Sequence, residues 1–395
     1  MKISELKERE DFAEITARTL ARGWSRQFGR PITVSTTPIP GAQQWLLHSL
    51  LGAVYTRDSA PSLRKFVADH FRCTARPLRI VPQYIVGTLL TRRAVLNRLG
   101  QPFLWVTPAI DNSATLLVAP GNQRIRVFDF ESGLTRAFLK EGFDNRSMMR
   151  EIAVRTKANG SCFTQLQSWD ENGKWLEEPI LEGIPLTRCL PWVNSAGYLH
   201  AALRSLDVWL NETSEEVAAA QYIEQLQREL LERLHGLIAR YPDEPLLARL
   251  GPLIAQMSCQ ASKLETIQIA HSHGDLQGGN IWVDHAQSRT LLIDWEYSAR
   301  RFRYYDFLLM GLAARPIKSF GEHSREFVRG GQLREGLHHY LPAQGQAWRK
   351  GALALFLLEE FNWVLDDQEQ GDYSALSANF RVLAQIFAET IELLS

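Results

Sequence analysis

Apolar residues recur at near-helical steps between Ile3 and Phe28, at Phe12, Ile15, Leu20 and Trp24, which predicts an opening helix. Three further helices are predicted over 42–56, 61–73 and 82–99, with Pro and Gly breaking the pattern at "TTPIPG" and "TARPLR". Residues 1–110 therefore read as a mostly helical N-terminal domain. The period then changes. "ATLLVAP", "RIRVFDF" and "TRAFLK" are short β-branched or aromatic runs separated by "GNQ" and "ESG", the punctuation of a three-stranded antiparallel meander. "DNRSMMREIAVRT" follows as a helix, with Asp144 or Asn145 as its cap and Met148, Ile152 and Arg155 at helical steps. "SCFTQLQSW" and "KWLEEPILEG" read as two more strands around the turn "DENG". Five antiparallel strands with one helix inserted after the third make a small lobe over 111–187.

From residue 188 to 395 the chain is mainly helical, with long candidates at 195–211 and 214–241 and more from 304 onward. Three strand-like runs interrupt them: "IQIAHSHGD", "NIWVD" and "RTLLIDW". There is no repeat and no low-complexity tract, and the fold class is α+β.

With 395 residues and 45% apolar content, the chain is long enough to bury two or more cores. Its longest apolar run, "GALALFLL" at 351–358, is too short to span a bilayer, and no apolar stretch follows the charged start "MKISELKERE", so a soluble cytoplasmic protein is expected. Cys73, Cys162, Cys189 and Cys259 are scattered without metal-ligand spacing and are expected to be buried thiols. Net charge is zero, yet residues 1–100 hold 16 Lys and Arg against 7 Asp and Glu. This basic front is either a contact for an anionic surface or glycolipid, or a solvated face that docks on the acidic remainder. Its arginines form no stripe, so no nucleic acid is expected.

The chemistry gathers in "HSHGDLQGGNIWVD" (271–284) and "LLIDWEYS" (291–298). Moving a γ-phosphoryl group requires Mg²⁺ on the phosphate oxygens and a carboxylate that orients the attacking hydroxyl. Asp275, on a loop after a strand, suits the second task as proton acceptor or hydroxyl orienter. Asn280, five residues on, and Asp294, returned by the hairpin "NIWVDHAQSRTLLID", supply the hard oxygen donors that Mg²⁺ prefers.

At these residues the sequence resembles the aminoglycoside phosphotransferase and choline kinase family, relatives of the protein kinases: "HGDLQGGN" and "IDWE" stand where the kinases have HRDxxxxN and DFG. The resemblance implies a bilobal protein-kinase-like fold, ATP and Mg²⁺ as cofactors, and Asp306 in "YYDFL" as a structural Asp that starts the next helix. It also implies that Lys140 holds the α and β phosphates and that Glu151 in the inserted helix pairs with it, with the adjacent Glu141 as the alternative. Phe138 would lie against adenine or in the core. Backbone groups near Glu182 to Ile184 would meet the adenine edge. No GxGxxG is present, and only Gly121 offers a glycine in the first hairpin turn.

For the acceptor the sequence offers two opposed surfaces. "LEEFNWVLDDQEQGD" sets Glu359, Glu360, Asp366 and Asp367 on one helix side near Trp363, which suits a cationic substrate or is a solvated acidic face. Arg300, Arg301 and Arg303 in "SARRFRYY" suit a phosphorylated or lipid-linked sugar, or pair with acidic neighbours. The expected function is an ATP-dependent phosphotransferase acting on a hydroxyl of a small molecule, a sugar or amino sugar; the alternative is a nucleotide-binding pseudokinase that regulates a partner.

Overall fold

In this computed structural model the described residues are 11–49, 51–72, 76–158, 162–190, 192–314, 319–370 and 376–394. Along the chain run α1 (Phe12–Gln27), β1 (Thr33–Ser35), β2 (Gln43–His48), β3 (Ala53–Thr56), α2 (Pro61–Arg72), α3 (Pro77–Leu90), α4 (Arg93–Leu99) and β4 (Gln101–Thr107). Next come β5 (Leu116–Pro120), β6 (Arg124–Asp129), β7 (Leu134–Leu139), α5 (Arg146–Lys157), β8 (Ser168–Trp169), β9 (Trp175–Pro179) and β10 (Ile184–Pro185). They are followed by α6 (Ser195–Glu212), β11 (Glu215–Ala218), α7 (Ala219–Arg240), α8 (Pro245–Ala261), β12 (Thr266–Ser272), β13 (Ile281–Asp284), β14 (Arg289–Leu292) and β15 (Ala299–Phe302). The chain ends with α9 (Tyr305–Gly311), α10 (Phe320–Gly330), α11 (Gln346–Gln370) and α12 (Ala378–Leu394). It divides into two compact units, one of residues 1–202 with 278–296 and one of 203–277 with 297–395.

The first unit is built on a nine-stranded sheet in the order β1-β4-β2-β3-β5-β6-β7-β9-β8. Strands β5 to β9 with α5 after the third are the lobe expected from the sequence, and this strand order with its inserted helix is protein-kinase-like. The N-terminal region carries the helices α1 to α4, and among them β1 to β4 extend the same sheet: the helix expected over 42–56 is the hairpin β2–β3. Both faces of that hairpin are covered. Trp45, Leu47 and Val54 pack under α1 with Phe12, Leu20 and Trp24, while Leu46 and Tyr55 pack with Leu63 and Val67 of α2. A strand buried on both sides loses the polar alternation that marks a half-buried one, so the run "WLLHSLLGAVY" carries no period of two.

A three-stranded sheet β10-β13-β14 completes this unit. Gly183, with φ +109°, leads into β10; a Cβ there would lie 2.1 Å from the Val283 carbonyl oxygen, so only glycine admits this approach. Cys162 and Cys189 are buried as expected, Cys259 is exposed, and Cys73 lies outside the described residues.

The second unit holds the sheet β11-β12-β15 and a helical core. On α7 the buried residues Ile223, Leu226, Leu230, Leu234 and Leu237 recur at steps of three and four, the stripe that docks a helix. In α11 every residue from Ala352 to Leu358 is buried.

This burial corrects the acidic-surface expectation. Glu359 and Glu360 are 3% and 2% exposed. Glu359 accepts from Tyr222 Oη at 2.6 Å and Phe302 N–H at 2.8 Å, Glu360 accepts from Tyr305 Oη, and Asp366 pairs with Arg233 at 3.2 Å. They are internal fastenings, not a substrate surface. The side chain of Asp367 lies outside the described residues. The arginines settle likewise by pairing: Arg300 with Glu215, Arg301 with Ser272 Oγ and the Tyr297 carbonyl, Arg303 with Asp207 and Asn211.

Burial pushes the Glu359 carboxyl up to about 7, against the pull of its hydrogen bonds and of Arg301. A carboxyl raised in the folded state contributes stability that is full below its unfolded value near 4.5 and is lost as pH climbs toward 7, here roughly 3 kcal/mol. Glu359→Gln keeps an acceptor oxygen and cannot ionise. Thermal melts at pH 5 and pH 8 should therefore show the variant gaining on the parent as pH rises; parallel pH profiles would remove Glu359 as the titrating group.

Candidate functional site

The register of β6 against β7 places Arg126 opposite Ala137, Ile125 opposite Phe138 and Arg124 opposite Leu139. Opposed residues share a sheet face. Ile125 and Phe138 face α1, where Phe138 is 4% exposed in the core with Trp24 and Trp45. Gly23 of α1 leaves room for that ring, since a Cβ there would lie 2.7 Å from it. Arg124, Arg126 and Ala137 belong to the other face, toward α5.

On that face the first unit encloses a cavity of about 310 Å³, at the small end of ligand sites. Ala119, Thr135, Pro179, Leu181, Trp282 and Ile293 supply apolar wall and backbone, and Arg126, Glu151, Arg155, Glu178 and Asp294 bring charge. Phe66, Val67 and His70 of α2 close one side, so the N-terminal region is part of the cavity wall. Arg188 donates to His70 Nε2 at 2.5 Å, and burial followed by this charge holds the imidazole down at about 4, hence neutral and accepting.

Four charged side chains brace the cavity from beneath. Glu151 of α5 receives Arg124 Nη1 on one oxygen and Arg155 Nη1, at 2.7 Å, on the other; Arg155 also holds Glu178 at 2.5 Å. Burial opposes ionisation of Glu151, but Arg124 and then Arg155 outweigh it and draw the carboxyl down to about 2. Arg124 is raised from its ordinary value: burial lowers it, and Glu151 with Glu296, 3.3 Å away, more than compensates. Glu296 itself is pushed up to about 7, first by burial and then by Asp294.

At the cavity's edge Arg126 Nη2 meets Asp294 Oδ1 at 3.3 Å, both side chains about one third exposed. Asp294 has φ +69°, a left-handed conformation uncommon outside glycine and often found at functional positions. The hairpin β13–β14 joins Asn280 to this place, because Ile293 N–H donates to the Asn280 carbonyl at 3.0 Å. Backbone pairing thus sets Asn280 beside the residue before Asp294 at the open end of one hairpin; their side chains offer an amide oxygen and a carboxylate, the latter paired with Arg126. This donor set fits Mg²⁺. Among the described residues no group of three His, Cys, Asp or Glu is placed to hold a metal ion.

In the second unit the Asp275 loop is held from behind. Asp306 at the start of α9 is buried and accepts from His273 N–H at 2.7 Å and Gly274 N–H at 2.9 Å. Burial pushes its carboxyl up, and His273 with these two amides pulls it back. Gly274 has φ +83°, and a Cβ there would sit 2.1 Å from the Tyr297 carbonyl oxygen. Asp275 is half-buried, its Oδ2 accepting from Gln277 Nε2 at 3.0 Å.

The other residues expected at the site are placed as follows. Phe138 is a core residue under α1 and does not line the cavity. Lys140 follows the end of β7, is 1% exposed with its ammonium 5.4 Å from the Phe143 ring centre, and is likewise outside the cavity lining. Glu151 is gripped by Arg124 and Arg155, and Glu141 pairs with Arg22 at 2.6 Å. The Glu182 carbonyl accepts from Trp282 Nε1 at 2.9 Å, and Ile184 sits in the β10–β13 ladder opposite Val283, so Pro179 and Leu181 are the nearby segment that lines the cavity. The Gly121 amide is spent on the Arg124 carbonyl at 2.8 Å. Arg124 and Arg126 were findable: in "RIRVFDF" they alternate with Ile125 and Val127, a charged face on a strand.

No family model matches the chain, and no curated protein matches it. Among solved structures it is similar to an ethanolamine kinase of Plasmodium vivax, with a TM-score of 0.47 and 13% identity over 85% of this chain and 96% of that one. It is also similar to a thermostable mutant of aminoglycoside phosphotransferase APH(4)-Ia in ternary complex with ADP and hygromycin B, with a TM-score of 0.43 and 11% identity over 71% and 92% of the two chains. A choline/ethanolamine kinase family protein from Mesorhizobium loti gives 0.41 and 12% over 72% and 89%. At these values the likenesses bear on no question of chemistry, and the kinase-like fold stands on the strand order β5-β6-β7-β9-β8 and the helix inserted after β7.

Proposed function

We propose that the protein transfers the γ-phosphoryl group of ATP to a hydroxyl of a small molecule, a sugar or amino sugar. The observation that carries this reading is the meeting of Arg126, Asp294 and the Asn280 backbone at the edge of an otherwise largely apolar cavity. Ala119, Leu181 and Ile293 would take adenine, and Arg126, whose guanidinium offers paired donors, would hold phosphate oxygens. Asn280 and Asp294 would hold Mg²⁺, which when bound neutralises phosphate charge. With nucleotide bound, Arg126 would pair with phosphate and the Asp294 carboxylate would be left for the metal. Asp275 accepts the acceptor's hydroxyl proton or aligns the hydroxyl for attack, on a loop that Asp306 keeps in shape.

Incubating the protein with labelled ATP, Mg²⁺ and a pool of metabolites should transfer label to one or a few hydroxyl compounds; transfer to none, with nucleotide bound, would favour the pseudokinase reading. Asp294→Ala should weaken Mg²⁺-dependent ATP binding about tenfold or more in calorimetry, while binding without Mg²⁺ changes little. Equal Mg²⁺-dependent affinities would take Asp294 out of the metal site.

A further inference from the structure

Helix α3 is turned inside out. Leu78, Val81, Ile85 and Leu89 are 94%, 67%, 55% and 41% exposed, and their steps of three and four residues set them in one stripe. Tyr84, also exposed, borders the stripe. The side of α3 turned to the protein carries Gly87 and Leu90. An apolar stripe of this extent facing water marks an interaction surface.

The charge around it names the occupant. Residues 57–100 hold nine Lys and Arg against Asp58 and Asp69, and both aspartates are paired, with Arg93 and Arg72. Arg76 and Arg79 are exposed at the start of α3, and Arg92 and Arg98 beyond its end. A second copy of the chain fits this surface poorly, because a twofold pairing of the stripe brings the same arginines together.

We propose that α3 docks on an anionic lipid bilayer, lying in the headgroup layer with Leu78, Val81, Ile85 and Leu89 toward the acyl chains and the flanking arginines against lipid phosphates. The attachment is peripheral, since no helix among the described residues is long and apolar enough to cross a membrane. It stands apart from the nucleotide reading, because none of the stripe residues lines the cavity.

The test is co-sedimentation of the full chain with vesicles of phosphatidylcholine alone, or with about a third phosphatidylglycerol, in roughly 0.1 M and 0.5 M salt. The chain should pellet with the anionic vesicles at the lower salt, and at least ~10-fold less with neutral vesicles or at the higher salt. Leu78→Glu with Ile85→Glu should lose ~10-fold or more of this binding and keep the parent melting midpoint, as both side chains are exposed. No pelleting with anionic vesicles, or a variant that pellets like the parent, would overturn the proposal. So would a parent that sediments as a dimer and a variant that sediments as a monomer, which would assign the stripe to a second copy.

Discussion

Asp275→Ala is expected to lower phosphoryl transfer by ~10²–10⁴-fold, the usual worth of a positioned general base, and to leave ATP affinity within a factor of about three. The separation follows from which groups do what. In the proposed function Arg126, Asn280 and Asp294 hold the nucleotide, while Asp275 acts on the acceptor hydroxyl. Its removal frees the Gln277 amide, which is exposed and finds water, and Asp306 still holds the loop through His273 and Gly274, so the fold should not suffer. Asp275→Asn is the sharper variant: it keeps shape and an acceptor oxygen and loses the basic one. Both variants should bind ATP in calorimetry and fail in turnover, whereas a parent-like rate in either would remove Asp275 from the chemistry.

The parts of this site that the sequence discloses are those set by local spacing. Asp275, Asn280 and Asp294 stand out because a loop and a tight hairpin fix their distances along the chain, and the β13–β14 ladder delivers Asn280 beside Ile293 as that spacing demands. Alternation likewise gives β5 to β7, whose turns are marked by Gly121 and Gly133. What the sequence hides is which sheet face meets the cavity. Period-two reasoning puts Phe138 and Lys140 on one face but cannot say that α1, folded from residues more than a hundred positions earlier, covers Phe138. The same blindness converts β2–β3 into an expected helix and makes Glu359 and Glu360 look solvated, because burial on every side erases the pattern that reveals an element's orientation.

Glu151→Ala should cost about 3–5 kcal/mol, the largest single loss of stability expected in the first unit. The carboxylate sits between Arg124 and Arg155, whose side chains are 3% and 2% exposed, and its deletion leaves two guanidiniums buried and facing each other. Glu151→Gln removes the charge but keeps an acceptor, and should cost less. Urea unfolding would show the midpoint falling in the order parent, Gln, Ala. The parent's own acid response has the matching sign: a carboxyl depressed from 4.5 to about 2 contributes stability that is present above pH 4.5 and fades as pH falls toward 2. A loss below about 1 kcal/mol for the Ala variant would mean that water or a shifted neighbour takes the vacated place.

Because β3 hands its hydrogen bonds to β5 through Val54 and Val118, the opening hundred residues are stitched into the five-stranded lobe and do not hang from it as a bead. A polypeptide beginning at Asn112 would bare the outer edge of β5 and strip the cover from Phe138, presenting an unpaired strand beside a greasy face, the template on which chains stack into aggregates. One sheet and one apolar core thus run through both segments.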